Sequence, residues 1–401
     1  MNQMFEGVRV VEVAQYVFVP ACGSILADYG ADVIKVEPPG AGDAYRGLVT
    51  SAAQTTRKVN IIFELNNRGK RSLALNLKDP EGLAVLHKLV AKADIFLTNF
   101  RPDALKRLKL DVDDVRSHNP KIIYARGHGF GRRGPDSWRP GYDATAFWAR
   151  SGFAHVLSPP DAAEPVRQRP AFGDHIGSMN LAMGIASALF HRERTGKGSV
   201  VDVSLMATGL WVLSSDLVQS RLPGYQEQMH RDTMMNPLNN PFKTRDGRWI
   251  QLILLEPDRY WPGLCERIGR PDLVKDPRFA DAKVRATHAV ECNREIEKEF
   301  AKKTYTEWLE ILKTFDAPWE PVQNLQELFV DPQVTANNYT MQFDADDGKA
   351  YDLVAAPVEF NEVPATTRRA PRVGEHTAQI LGELGIDDVR IQKYRGAGII
   401  G

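Results

Sequence analysis

One carboxylate, Asp174, stands between Gly173 and the step His175-Ile176-Gly177, at the head of the stretch RPAFGDHIGSMNLAMGIASALFHRERTGKGSVVDVSL (residues 169–205). An aspartate just ahead of a helix has two readings. It is among the best N-caps, because its oxygens accept from the first orphan amides. It is also a potential nucleophile, and the glycines around it leave the carboxylate sterically open. Nearby backbone N–H groups and the helix dipole are then expected to hold it ionised, as attack requires. The rest of the chain has to decide between the two.

The helix that follows is read from its periodicity. Met179, Ala182, Met183, Ala186, Leu189 and Phe190 recur at three- and four-residue spacing, the pattern of one buried face. The basic run His191-Arg192-Glu193-Arg194 suits a helix C-terminus, and Thr195-Gly196-Lys197-Gly198 closes it. Val200 to Val203 is expected as a buried strand. Upstream, Val8–Val13, Ala31–Glu37, Ser72–Leu77, Asp94–Thr98 and Lys121–Arg126 are short apolar runs that alternate with helical stretches. That alternation predicts a parallel α/β sheet with ligand loops at its carboxyl edge. The first strand-to-helix loop lacks GxGxxG, so Glu37 as a ribose-binding acid is a weak signal and a dinucleotide-dependent dehydrogenase is rejected.

Basic residues recur in the loops after several strands: Arg68, Lys70, Arg71, Lys78, Arg101, Lys106, Arg107, Arg132, Arg133 and Arg139. Their placement suggests a polyanionic ligand bound without a P-loop, and coenzyme A is one candidate. Beyond Asn240 the composition changes. FKT-RDG-RWIQLIL is expected as a hairpin turning at Asp246-Gly247, followed by helical segments.

Global composition narrows the class. The 401 residues carry 51 basic and 51 acidic side chains, so no net field favours nucleic acid or an anionic membrane. No apolar run is long enough to span a bilayer, and no signal peptide is visible. The three cysteines, Cys22, Cys265 and Cys292, are scattered, which argues against a disulfide framework or zinc site and fits a reducing cytoplasm. No metal site is expected.

Taken together, several stretches resemble the family III CoA-transferases, the CaiB/BaiF group. They are GVRVVEVAQYV, GADVIKVEPPGAGD, NNRGKRSLALNLKDPEG, ADIFLTNFRPDALKRL, RPGYD, GDHIGSMN, HRERTGKG, DPQV and GEHT, in the family's order along nearly the whole chain. The resemblance implies that Asp174 is the catalytic carboxylate. It would attack an acyl-CoA thioester and pass CoA to an acceptor acid through aspartyl anhydride and aspartyl-CoA thioester intermediates. Oxyanions formed on the way would fall to backbone N–H groups, with the His175–Gly177 turn as the candidate.

The same resemblance implies CoA contacts at Val17, Phe18, Leu75, Lys78, Asn99, Phe100, Arg107 and Leu108, with Tyr142 in the active-site RPGYD motif. Some members have Gln at the position of Val17 and Arg at that of Pro38. The glycine-rich flap of formyl-CoA transferase has no counterpart, which weighs against an oxalate-type substrate. Phe18, Trp148, Trp211, Trp319 and Tyr16 are candidates for an acyl pocket.

Two other readings stand beside transfer. The α-methylacyl-CoA racemases of this fold carry His where this chain has Tyr142, and need two acid/base groups for α-proton exchange. His128 and His175 are the spare candidates for that role. An inactive CoA-binding homologue is the third reading.

For the fold, the resemblance implies an interlocked homodimer. Each chain would have a Rossmann-like large domain, its parallel sheet built from both chain ends, and a smaller inserted α+β domain. The expected division is 1–222 for the first part of the large domain, a linker at 223–240 and the small domain at 241–325. A second linker at 326–340 then leads to a return at 341–401.

Overall fold

A computed structural model describes residues 3–345 and 348–401 of the chain. Its centre is a six-stranded sheet formed by β1 (Arg9–Val13), β2 (Asp32–Glu37), β3 (Arg71–Ala74), β4 (Ile95–Thr98), β5 (Ile123–His128) and β6 (Val200–Ser204). The order is β3-β2-β1-β4-β5-β6 and every pairing is parallel, with Val11 opposite Ile34 on one side and Phe96 on the other. Continuous apolar runs suit such strands, because helices cover both faces and leave no solvent side for polar alternation. Val11, Ile34, Leu73 and Phe96 are fully buried.

The connecting helices are α1 (Phe18–Asp28), α2 (Ile61–Asn67), α3 (Pro80–Val90), α4 (Pro102–Leu108), α5 (Val112–His118), α6 (Phe153–Val156), α7 (Phe172–Thr195), α8 (Leu205–Val212) and α9 (Ser214–Gln219). Their ends follow local rules. Asp79 caps α3 with Pro80 at its first position, and α7 stops at Gly196 in the left-handed region (φ 70°). Strand order reverses at β1, whose neighbours β2 and β4 lead away in opposite directions. A doubly wound sheet opens its ligand crevice at that switch point.

Three expectations are corrected here. The parallel sheet is not built from both chain ends, since all six strands lie between residues 9 and 204. The C-terminal segment instead supplies helices Thr377–Glu383 and Asp388–Gly396 and one antiparallel bridge, Leu75 to Ile400. Ile380, Leu381, Ile391 and Tyr394 complete the core on that side, and the Leu75–Ile400 bridge runs antiparallel, so it does not extend the parallel ladder. Second, β6 is not a buried strand: among the described residues it pairs only with β5, and its residues are mostly exposed or half-buried. Third, α7 begins at Phe172, so Asp174 lies inside its first turn.

The chain forms two compact units. One comprises 1–154, 167–219 and 332–401 and contains the large sheet; the other comprises 155–166 and 220–331. The second has its own core, in which Phe242, Ile250, Trp261, Phe300 and Trp308 are buried. Its hairpin pairs Pro241–Lys243 with Trp249–Leu252, and Trp319–Pro321 adds a third strand. The turn holds Gly247 at φ 82°, which asks for glycine. Among the described residues, no helix is long and apolar enough to cross a membrane, and no cluster of His, Cys, Asp or Glu could hold a metal ion.

Candidate active site

The loop after β1 is held in place by a cluster of buried charges. Lys35, fully buried in β2, pairs with Glu12 (3.1 Å) and Asp43 (2.8 Å) and donates to the carbonyl of Ala14 (3.1 Å). Asp43 accepts from the amides of Tyr16 (3.3 Å) and Tyr45 (2.9 Å). From β4's end, the Asn99 side chain accepts from Gln15 N (3.0 Å) and donates to Gln15 O (2.6 Å). These clamps keep Tyr16 at φ 67°, a strained conformation for a non-glycine residue. Asn99 therefore positions the loop with both ends of its amide.

Phe18 opens α1 and wedges between β5 and α7. A Cβ at Gly127 or at Gly177 would come within 2.7 Å of its ring, so glycine is required on both sides. Nearby, Gly129 and Gly141 pack backbone against backbone, a Cβ on either meeting the other at 3.0 Å or less. This is the physical content of the glycine in RPGYD: it lets the segment 137–142 fold over the end of β5.

Two adjoining cavities lie along the carboxyl edge of the sheet. The first, about 660 Å³, is lined by the ends of β1, β2 and β3 and by α4, with Leu75, Lys78, Phe100, Arg107, Leu108 and Lys109 around it. The second, about 440 Å³, is lined by Tyr16, Val17, Phe18, Asn99, Phe100, His128, Tyr142 and Asp174. Gln15, Phe100 and Ala104 line both, so the two share a wall. The structure thus brings all nine candidate ligand-contact residues and Asp174 to one edge.

Lys78, Arg107 and Lys109 are exposed at the first cavity with no carboxylate partner among the described residues. Four of the other candidate cations are committed elsewhere, Arg139 to Asp136 among them, which corrects the idea that all of them jointly face a ligand. Arg68 pairs with Asp28, Lys70 with Glu12, and Arg71 with Asp32 and Glu383. Glu37 is held by Arg46, Ser72 and the Asp43 amide, so it is not free for a ribose.

Asp174 is neither cap nor turn residue. The N-cap position of α7 is Ala171, left-handed at φ 61°, and the acceptor for the helix's first amides is Asp143. Gly173 N–H donates to Asp143 Oδ1 (3.1 Å), and the Asp174 amide is bonded to the same carboxylate. Asp174 is left half-buried without those donors. Burial, and then the neighbouring Asp143 charge, push its carboxyl up to about 8. The expectation that amides and dipole keep it ionised is therefore reversed. The His175–Gly177 step is helical, with the His175 amide already bonded to Ala171 O, so it is not a free oxyanion turn.

The remaining candidates separate. Tyr142 is 60% exposed and stands edge-on to Tyr16, with ring centroids 5.5 Å apart. His128 lines the Asp174 cavity but is bonded to Asp202 (2.8 Å), while His175 bonds Asn66 (3.1 Å) and lines a different cavity. Burial lowers both imidazoles, so both are neutral near pH 7. Of the proposed acyl-pocket aromatics only Tyr16 and Phe18 line this cavity. Trp148 packs on Phe153, Trp211 is 75% exposed, and Trp319 belongs to the second unit's sheet. Sequence reasoning missed Gln15 and Lys109 as cavity residues and Asp143 as the cap. Asp143 sits in the RPGYD motif, but nothing local tells which helix it caps.

Comparison with known proteins gives a consistent pattern. A family model described as CoA-transferase family III matches residues 5–377. The (R)-2-hydroxy-4-methylpentanoate CoA-transferase of Clostridioides difficile is 33% identical, covering 99% of this chain and 99% of its own. The cinnamoyl-CoA:phenyllactate CoA-transferase of Clostridium sporogenes is 34% identical, covering 98% and 96%. Among solved structures, a CaiB/BaiF family protein from Brucella suis superposes with a TM-score of 0.82 at 28% identity, covering 96% of this chain and 100% of that one.

Proposed function

The chain belongs to CoA-transferase family III, and from that premise we propose that it moves CoA from an acyl-CoA donor to a carboxylic acid acceptor, with Asp174 as the nucleophile. The observation that carries this reading is the pair of adjoining cavities: a cationic one at the β1/β4 switch point and a second one holding a desolvated carboxylate. Phosphates of CoA would sit by Lys78, Arg107 and Lys109, and the pantetheine arm would pass Phe100 toward Asp174.

Ionised Asp174 attacks the donor thioester carbonyl; the C–S bond breaks and CoA leaves as thiolate. The thiolate attacks the aspartyl carbonyl, expels the donor acid and leaves an enzyme–CoA thioester. The acceptor carboxylate attacks that thioester to give a second anhydride and CoA thiolate. Attack of the thiolate on the acceptor's acyl carbon then yields acceptor-CoA and restores Asp174. No proton is gained or lost overall, so no acid/base pair is needed. Desolvation favours this route, because a carboxylate stripped of water is the stronger nucleophile.

The test is mass spectrometry after incubation with 2-hydroxyacyl-, arylacryloyl- and dicarboxyl-CoA thioesters, followed by hydroxylamine or borohydride trapping. The expected result is a CoA or acyl adduct mapped to Asp174. Exchange of the α-proton of a branched acyl-CoA with deuterated solvent, with no adduct, would favour racemisation instead. Binding of CoA with neither reaction on any donor would leave a binding protein.

The cationic cavity makes its own prediction. Arg107→Ala and Lys78→Ala each remove a charge-assisted contact, of about 1.5–3 kcal/mol, so KM for acyl-CoA should rise about tenfold or more. KM for the matching acyl-pantetheine, which lacks the phosphates, should stay the same. An unchanged acyl-CoA KM in both variants would remove the nucleotide from this cavity.

We further propose that the active form is a homodimer, of the interlocked kind the resemblance implied, in the cytoplasm. Support for the dimer comes from the apolar face of α7 to α9, where Met183, Phe190, Trp211 and Val218 are each more than 60% exposed beside the unpaired edge of β6. Faces of this kind on a soluble chain are normally covered by a partner. The buried free thiols of Cys22, Cys265 and Cys292 fit a reducing compartment. Light scattering should give twice the 44.8 kDa chain mass; a monodisperse monomer retaining full activity would refute the dimer.

A further inference from the structure

The N-terminus of α7 is capped from outside its own segment. Ala171 has no side-chain acceptor to offer, and the first free amides of a helix need one. Asp143 supplies it from the first residue of a π-helical turn, Asp143–Ala149. Such turns are uncommon and cluster at functional sites. The approach depends on Gly173, where a Cβ would lie 2.5 Å from Asp143 Oδ1 and 2.1 Å from the Phe147 ring. Asp143 is 8% exposed, and its Oδ2 is buried without a hydrogen-bond partner. Its own carboxyl is raised by burial, against the lowering pull of Gln168 and the two amides.

Other ionisable groups around Asp174 do not substitute for it. Tyr45 feels the Asp174 charge and is itself pushed up to about 12 by burial first. Tyr16 and Tyr142 are bonded to each other, His128 is committed to Asp202, and Arg139 to Asp136. Arg101 lines the same cavity from an exposed position.

We propose that Asp143 is a positioning residue that sets the reactivity of Asp174: it takes the helix's first amides for itself and holds a second carboxylate against the nucleophile. The proposal rests on the reading of Asp174 as nucleophile. Its consequence is selective. A free Asp174 carboxylate faces repulsion and lacks backbone donors, whereas the neutral anhydride and thioester states feel no repulsion. Asp143 therefore destabilises the resting anion relative to the covalent intermediates and speeds their formation. No bond to Asp143 forms or breaks, and it carries no proton in any step.

The experiment follows the rate of CoA-adduct formation at Asp174 against pH in the wild-type chain, in Asp143→Asn and in Asp143→Ser. Both variants keep an acceptor for the Gly173 amide and lose the charge, and the second guards against failure of the first to fold. The expected result is a midpoint lower by about one pH unit in the variants, since a like charge within the site is worth about that much, with a lower plateau rate at high pH. Folded variants that keep the wild-type midpoint, however slow, would overturn the proposal while leaving Asp174 as nucleophile. Absence of an adduct at Asp174 in the wild type at every pH would remove the nucleophile reading and this proposal with it.

Discussion

Asp174→Asn should lower transferase turnover by on the order of 10⁵-fold, the scale on which removal of a covalent nucleophile acts, and should at the same time make the protein more stable at alkaline pH. The second half follows from the first. Asp174 has its carboxyl raised to about 8 from an ordinary 3.8, burial being the larger cause and Asp143 the smaller. An acid raised on folding binds its proton more tightly in the native state than in the unfolded one. Stability is therefore lost as pH climbs from about 4 through about 8. Asparagine has no such charge to desolvate. Thermal melts at pH 9 should place the variant a few degrees above wild type, and the two curves should converge near pH 4. Kinetics and melts moving in opposite directions would mark a residue kept for chemistry at a cost in stability. A variant that melts lower at pH 9 would contradict the burial of a charge at this position. The same ionisation predicts that wild-type kcat/KM rises with pH toward a plateau above about 8.

Glu12→Ala should be the most damaging substitution away from the cavity. Glu12 is 0% exposed and stands between two ammonium groups, Lys35 at 3.1 Å and Lys70 at 2.8 Å. Removing it leaves both cations buried around an empty site. Breaking a buried pair in this way costs about 3–5 kcal/mol. Lys70 keeps its Pro20 and Asn66 carbonyl partners, and Lys35 keeps Asp43, so the loss should stop short of complete unfolding. Urea denaturation would read the stability term, and the double variant Glu12→Gln with Lys70→Met should recover part of it, because the second orphaned charge is then gone. Activity should fall as well. Lys35 holds the Ala14 carbonyl and Asp43 the Tyr16 amide, so a loosened network releases the loop that carries Tyr16 and Val17 to the cavity. A variant as stable as wild type would show that the three charges are independent.

What the sequence alone determined is local. Runs such as VVEV and IFLT, separated by helical periods, set a parallel sheet, because a strand covered on both faces has to be apolar throughout. Hairpin chemistry at Asp246-Gly247 and the helix stop at Gly196 were equally readable, since each depends on the backbone freedom of one glycine. The resemblance in motif order reached the residues around the cavities, from Leu75 and Lys78 to Tyr142 and Asp174.

Only the tertiary structure decided which charges meet. Asp143 and Gly173 are 30 positions apart, Glu12 and Lys70 are 58, and Gln15 and Asn99 are 84. No period or local propensity links such pairs. Their packing turned Lys70 and Arg68 from candidate ligand contacts into buried struts, and Asn99 into a clamp for the Gln15 backbone. It also left β6 as an open edge and gave the amides of α7 to Asp143. The ionisation of Asp174 was the last thing to be decided and the one local reasoning inverted. A helix N-terminus favours an anion only if its amides are free, and here another carboxylate, brought in by the fold, has already taken them.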